Sequence, residues 1–174
     1  MRQALHVSKA PVIFSHSNVK SLVDVPRNVP DDVLDLVRVN NGLVMVSFIN
    51  NFTIPFASSI RPNVSHVADH VDYIRARHNG SVAHIGIGAD FEGEDVFAYE
   101  DYPADLEDIS KYPVLFAELI RRGYSDEEVV AVLGGNLQRV MRDAERVARE
   151  LSSEKAPPQN ENRLILDETC RSDF

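Results

Sequence analysis

LVMVSFIN, residues 43–50, is a near-continuous apolar run rich in β-branched and aromatic side chains. A run of this kind, without polar alternation, reads as a strand buried on both faces, as in a parallel sheet flanked by helices. Upstream, VPDDVLDLVRVNNG (29–42) sets Val33, Leu34, Leu36 and Val37 at helical spacing, and Asn40-Asn41-Gly42 stops the helix. Before it lies another strand-like run, PVIFSHS (11–17), which ends on His16. Downstream, NVSHVADHVDYIRARHNG (63–80) places Val67, His70, Val71 and Ile74 on one helical face and closes on Asn79-Gly80. SVAHIGIGADF (81–91) then forms a third strand. Strand, helix, strand, helix, strand is the signature of parallel βαβ units, so the expected class is α/β. In such folds ligands gather at the carboxyl ends of the strands.

The remainder closes the unit. FEGEDVFAYEDYPADLEDISKYP (91–113) reads as an acidic surface excursion, and PVLFAELIRRG (113–123) as a helix ending on Gly123. Ser125 and Glu128 have the spacing of a capping box, opening a helix that breaks at Gly134-Gly135. Asn136 is expected to cap a last helix whose Leu137, Val140, Met141, Ala144, Val147 and Leu151 recur every three or four residues. One domain is expected over 1–151, with an irregular tail over 152–174, poorly ordered or draped on the surface.

Composition narrows the function. With 18 basic against 27 acidic residues, the net charge of −9 argues against a nucleic-acid groove, which needs clustered Lys and Arg. A single cysteine, Cys170, excludes an internal disulfide framework and a cysteine-based zinc site, so any metal would sit on His and carboxylate. No apolar run approaches the roughly 18 residues of a membrane span, and the opening segment lacks the apolar core of a secretory signal. Membrane attachment is therefore not visible in this chain, and the compartment stays open.

Three residues have the right chemistry in the right place. His16 and Asp90 follow the first and third expected strands, whose carboxyl ends converge on one mouth, so an imidazole and a carboxylate distant in sequence can meet there. The bland alternative is a hydrogen-bonded histidine and a helix-capping aspartate; position alone does not separate the two. Gly86, Gly88 and Gly93 around Asp90 would let backbone pass close to a ligand. Arg27, in the loop leaving the first strand, could clamp a carboxylate through its two-pronged guanidinium or simply pair with Asp24 or Asp31. His66 and His70, four apart on one helix, share a face as metal pairs do. Val67 stands where the zincin motif has Glu, and an ordinary half-polar helix face is the expectation. His6, His78 and His84 have no companion at ligand spacing and are expected to be structural or exposed.

APVIFSHSN, RNVPDDVL, LVMVSFINNF, VADHVDYI, HIGIGADFEG and DISKYPVLFAELIRRGYSDEEVVAVLGGNLQRV, in this order and spacing over residues 4–150, resemble the carboxyl-terminal half of the membrane (renal) dipeptidases, which are amidohydrolase-like zinc metallopeptidases. The resemblance implies about strands six to eight of a TIM (β/α)8 barrel, and zinc-dependent hydrolysis of dipeptides to free amino acids at a centre of two Zn2+ ions. His16 would ligate one zinc. Asp90 would handle the proton as metal-bound hydroxide attacks, and also touch substrate. Arg27 would grip the free carboxylate of the dipeptide. Glu92 stands where the family has a second aspartate. The other ligands of that centre, including an H-x-D triplet, have no counterpart in this chain and are expected upstream of Met1; an amino-terminally truncated chain is the expectation. A TIM barrel needs about 250 residues, which agrees. Two rivals stay open: a catalytically inactive fragment acting only in binding or as a homodimer, and an unrelated α/β binding domain.

Overall fold

The computed structural model describes residues 1–91 and 99–154. Glu92, Gly93, Cys170, part of the acidic excursion and the tail from residue 155 lie outside the described residues.

In chain order the elements are α1 (Arg2–Val7), β1 (Ile13–Phe14), α2 (Asp31–Asn40), β2 (Leu43–Val46), a one-turn α3 (Asn50–Thr53), α4 (Val64–Arg77), β3 (Ile85–Ile87), α5 (Tyr112–Arg121), α6 (Asp126–Val130) and α7 (Asn136–Ser153). The three strands form one parallel sheet in the order β1-β2-β3, with Ile13 opposite Leu43 and Val44 opposite Ile85. The chain is thus mixed α/β with the expected succession, and β2, the central strand, is buried at all but Met45. Helices α2, α4 and α7 pack against it, and Val33, Leu34, Val37, Val44, Val46, Phe48, Ile74 and Ile85 make a continuous core. Burying each such side chain contributes roughly 1.5–3 kcal/mol against leaving it in water. No helix among the described residues is long and apolar enough to cross a membrane.

The strands are shorter than the apolar runs that announce them. β2 ends at Val46 because the Ser47 N–H turns to the side chain of Asn18, at 2.7 Å, and the chain then swings into α3. β3 starts only at Ile85, whose N–H first closes a turn onto the Val82 carbonyl. β1 is half-buried rather than buried, since among the described residues it has one neighbouring strand.

Local signals explain the helix ends. Asp31 and Asp32 sit in the first turn of α2, where the helix dipole favours negative charge. Asn41 takes the left-handed conformation that stops it. Ser125 and Glu128 form the anticipated capping box on α6. Asn136 corrects the expectation for α7. Its position before the stripe suggests a cap, but Gly135 occupies that place without a side-chain bond. The buried Asn136 amide donates instead to the carbonyls of Val82, at 2.7 Å, and Ile85, at 2.9 Å, at the amino end of β3. Of the α7 stripe, Val140 and Val147 are buried while Met141 is 52% exposed, and the helix runs to Ser153, two residues past the expected boundary.

The sheet curls about β2. A Cβ added to Gly88 would lie 1.8 Å from the Ser15 carbonyl oxygen, so the ends of β1 and β3 touch over Met45. In a flat sheet, strands one removed stand about 9.5 Å apart. Only glycine at 88 permits this approach, and the curl draws the residues after β1 and β3 together.

Candidate active site

Backbone hydrogen bonds carry the sheet beyond its last strand residues. The Ser17 N–H reaches the Met45 carbonyl, the Gly88 N–H reaches Val46, and the Phe48 N–H reaches Ala89. His16 and Asp90 are therefore held just past the carboxyl ends of β1 and β3, on either side of β2. Asp90 takes φ = 64°, a left-handed conformation that Asp and Asn accept better than other side chains. Its carbonyl also accepts from the Tyr102 hydroxyl at 3.3 Å.

The structure brings together the three residues singled out in the sequence. Arg27 Nη2 lies 2.6 Å from His16 Nδ1 and 3.1 Å from Asp90 Oδ2, and His16 Nδ1 lies 3.6 Å from the same carboxylate oxygen. A guanidinium is only a donor, so in this contact Arg27 donates toward the imidazole. The Asp90 side chain is 15% exposed, against 42% for His16 and 43% for Arg27. A sheltered carboxylate thus lies beneath a more open imidazole and guanidinium. Asp24 and Asp31, the bland partners for Arg27, are engaged elsewhere. Lys20 takes Asp24, while Tyr73, Ser21 and Arg77 take Asp31.

Other histidines fall on the structural side. His66 Nδ1 accepts the Asn63 N–H at 3.2 Å, as part of the α4 cap. His70 is fully buried; its Nδ1 accepts the Val19 N–H at 3.1 Å and its Nε2–H donates to the Thr53 carbonyl at 3.0 Å. Burial pushes the His70 pKa down to about 4. This pair is not a metal site, since both His70 nitrogens are used. His78 and His84 meet edge to face at 5.5 Å near the amino ends of the strands, bonded to the carbonyls of Leu34 and Gly42 and lowered in pKa chiefly by burial. His6 is exposed on α1.

Sequence reading missed the residues that hold the three in place. Asn18 and Asn28 are fully buried side chains in the loop between β1 and α2, and the Phe52 ring lies 4.9 Å beneath the Arg27 guanidinium. An asparagine in a polar loop carries no local sign that it will be buried; only the two-residue distance of Asn18 from His16 hinted at it.

Among the described residues, no three His, Cys, Asp or Glu side chains gather as a metal-binding group. A complete tetrahedral zinc site takes about three or four protein ligands. His16 and Asp90 offer one imidazole and one carboxylate, fewer donors than such a site takes.

The family model for membrane dipeptidases, peptidase family M19, matches residues 1–155. Dipeptidase 3 of Macaca fascicularis is 45% identical over 161 residues, covering 92% of this chain and 31% of the relative. Dipeptidase verJ of Clonostachys rogersoniana is 41% identical over 150 residues, covering 86% and 36%. The chain thus spans about a third of the length of these curated relatives. A metallo peptidase from Rhodobacter sphaeroides, solved with a phosphinate mimic of the dipeptide L-Ala-D-Ala, superposes with a TM-score of 0.72 at 23% identity, over 82% of this chain and 39% of that one; it supports the fold. With the family model matched across all of its described residues, this chain belongs to the membrane dipeptidase family, peptidase family M19.

Proposed function

We propose that this chain supplies part of the active site of a metal-dependent dipeptidase that hydrolyses dipeptides to free amino acids. The observation that carries the reading is the convergence of His16, Arg27 and Asp90 at the carboxyl ends of parallel strands. Its natural frame is the strand six to eight sector of a TIM barrel, where functional groups sit at that face. The all-parallel β1-β2-β3 order is what such a sector requires. Domain boundaries near residue 151 follow from the same reading.

Each residue has a distinct part. Arg27 presents a guanidinium, more open than the carboxylate it bonds, to the free carboxylate of a dipeptide, and donors in a fork suit that group. Asp90 holds and returns a proton at the scissile bond and touches the substrate. His16 offers an imidazole nitrogen to a metal. We take the metal to be zinc, two ions in the complete site, with the remaining ligands drawn from the part of the relatives' length that this chain does not span. A bound zinc supplies a polarised carbonyl and a more acidic water.

Replacing Arg27 by Ala is expected to raise KM for a simple dipeptide by roughly 10–100-fold while changing kcat little, the mark of lost ground-state binding. An unchanged KM removes the clamp from the proposal. Because the described residues hold no three-ligand cluster, the rival reading, a chain that binds or dimerises without turnover, has its own observation. Zinc content and dipeptide hydrolysis of the purified chain separate them. Less than one zinc per chain together with no turnover assigns the activity to a longer polypeptide.

A further inference from the structure

Asn18 lies fully buried where β1 leaves the sheet. Its Oδ1 accepts the Ser47 N–H at 2.7 Å, and its Nδ2 faces the Ser47 carbonyl at 3.2 Å, the Phe52 carbonyl at 3.1 Å and Thr53 Oγ1 at 3.3 Å. Pairing with both the N–H and the C=O of one residue, here the first past β2, is what a neighbouring strand's backbone does. The side-chain amide of Asn18 therefore continues the ladder in place of main chain. The main chain is freed to turn away two residues after His16, and the Asn18 carbonyl instead accepts the Val29 N–H at 2.7 Å, closing the loop that carries Arg27.

Asn28, next to Arg27 and also fully buried, completes the device. Its Nδ2 donates to the Val23 carbonyl at 2.9 Å and to the same Phe52 carbonyl at 3.1 Å. Among the described residues its Oδ1 has no hydrogen-bond partner. A buried acceptor left unpaired is a cost that a space-filling residue avoids, so the amide is held there for its donors. The two asparagines thus meet on one carbonyl, and the ring of that same residue, Phe52, lies beneath the Arg27 guanidinium. One residue of α3 anchors both ends of the loop through its backbone and aims the arginine with its side chain.

We propose that Asn18 and Asn28 are positioning residues, which by converging on the Phe52 carbonyl fix the distance between His16 and Arg27 and hold the guanidinium where a dipeptide carboxylate docks. The consequence for substrate rests on the clamp role proposed for Arg27; the positioning itself does not, and is tested without catalysis.

The test uses NMR of the full chain. In the unmodified protein, nuclear Overhauser contacts are expected between the Arg27 side-chain protons and the Phe52 ring, with an upfield ring-current displacement of the Arg27 methylenes. Asn28→Ala should abolish both while the His78–His84 contacts at the opposite end of the sheet persist. Asn28→Ser, which keeps a single shorter donor, is read in its place if Asn28→Ala does not fold. Asn136→Ala is the matched control: it removes a buried amide with two carbonyl partners at the far end of β3 and should leave the Arg27–Phe52 contact intact. The proposal is overturned if that contact is absent in the unmodified protein, survives both Asn28 substitutions, or is lost equally in Asn136→Ala. It is also overturned if both Asn28 variants fail to fold while Asn136→Ala folds, for Asn28 would then be a folding residue only. Should the NMR result hold and the KM effect of Arg27→Ala fail, the loop device stands and the dipeptide clamp falls.

Discussion

Asn in place of Asp90 is expected to lower kcat for dipeptide hydrolysis by roughly 10²–10⁴, the range for loss of a positioned proton-transfer group. In barrier terms that is about 3–5 kcal/mol. The substitution isolates charge and proton affinity from everything else at the position. Asp90 holds φ = 64°, and Asn tolerates that conformation as well as Asp does, so the backbone is not strained. Asn also keeps a carbonyl oxygen to accept from Arg27, which now bonds the carboxylate at 3.1 Å. Steady-state kcat and KM, measured in a preparation that turns over the dipeptide, decide the matter. A rise in KM with kcat intact would show that Asp90 serves Arg27 rather than the reaction, and the proton-handling role would be lost.

Acid should weaken the fold in a window set by buried histidine. His70 has its ordinary pKa of 6.5 pushed down to about 4, because burial disfavours the imidazolium. Protonating Nδ1 would also set an N–H against the Val19 N–H that it now accepts at 3.1 Å. A folded-state value below the unfolded one means that the unfolded chain binds the proton first. Stability is thus whole above about 6.5 and falls as pH drops toward 4. The shift corresponds to about 3 kcal/mol in all, of which about 2 kcal/mol is already lost at pH 5. His78 and His84, lowered chiefly by burial, act in the same direction. Carboxylates enter later: Glu118, held at about 2 mainly by its hydrogen bond from Arg121, starts from an ordinary 4.5. Urea unfolding at pH 7 and pH 5 should therefore show a lower midpoint at pH 5, and His70→Gln, which keeps a donor and an acceptor but cannot titrate there, should flatten the dependence. Equal midpoints for the unmodified protein at the two pH values would contradict a neutral buried His70.

The sequence was most legible where one local pattern had one meaning. The unbroken apolar run at Leu43–Val46 announced a covered parallel strand; Ser125 and Glu128 announced a cap, and Asn41 and Gly42 announced a stop, both satisfied by neighbours within a few residues. It misled where a residue's partner is remote. Asn136 looked like a cap and instead serves two carbonyls of β3's amino end. Ser47 through Ile49 looked like continued strand, yet the Ser47 N–H is taken by Asn18.

For the site the division is the same. That His16 and Asp90 end strands, and that Arg27 lies in the loop between, could be read directly, because apolar runs and their punctuation are properties of adjacent residues. Which of the rival partners each side chain takes was decided only by the tertiary structure. The curl of the sheet at Gly88, where any Cβ would strike the Ser15 carbonyl, brings the ends of β1 and β3 into contact. Buried amides of Asn18 and Asn28 then bend the loop so that Arg27 meets His16 and Asp90 rather than Asp24 or Asp31. Local pattern determines where a chain extends, coils and stops; a hydrogen bond between residues ten to sixty positions apart depends on how those pieces pack, which no local spacing encodes.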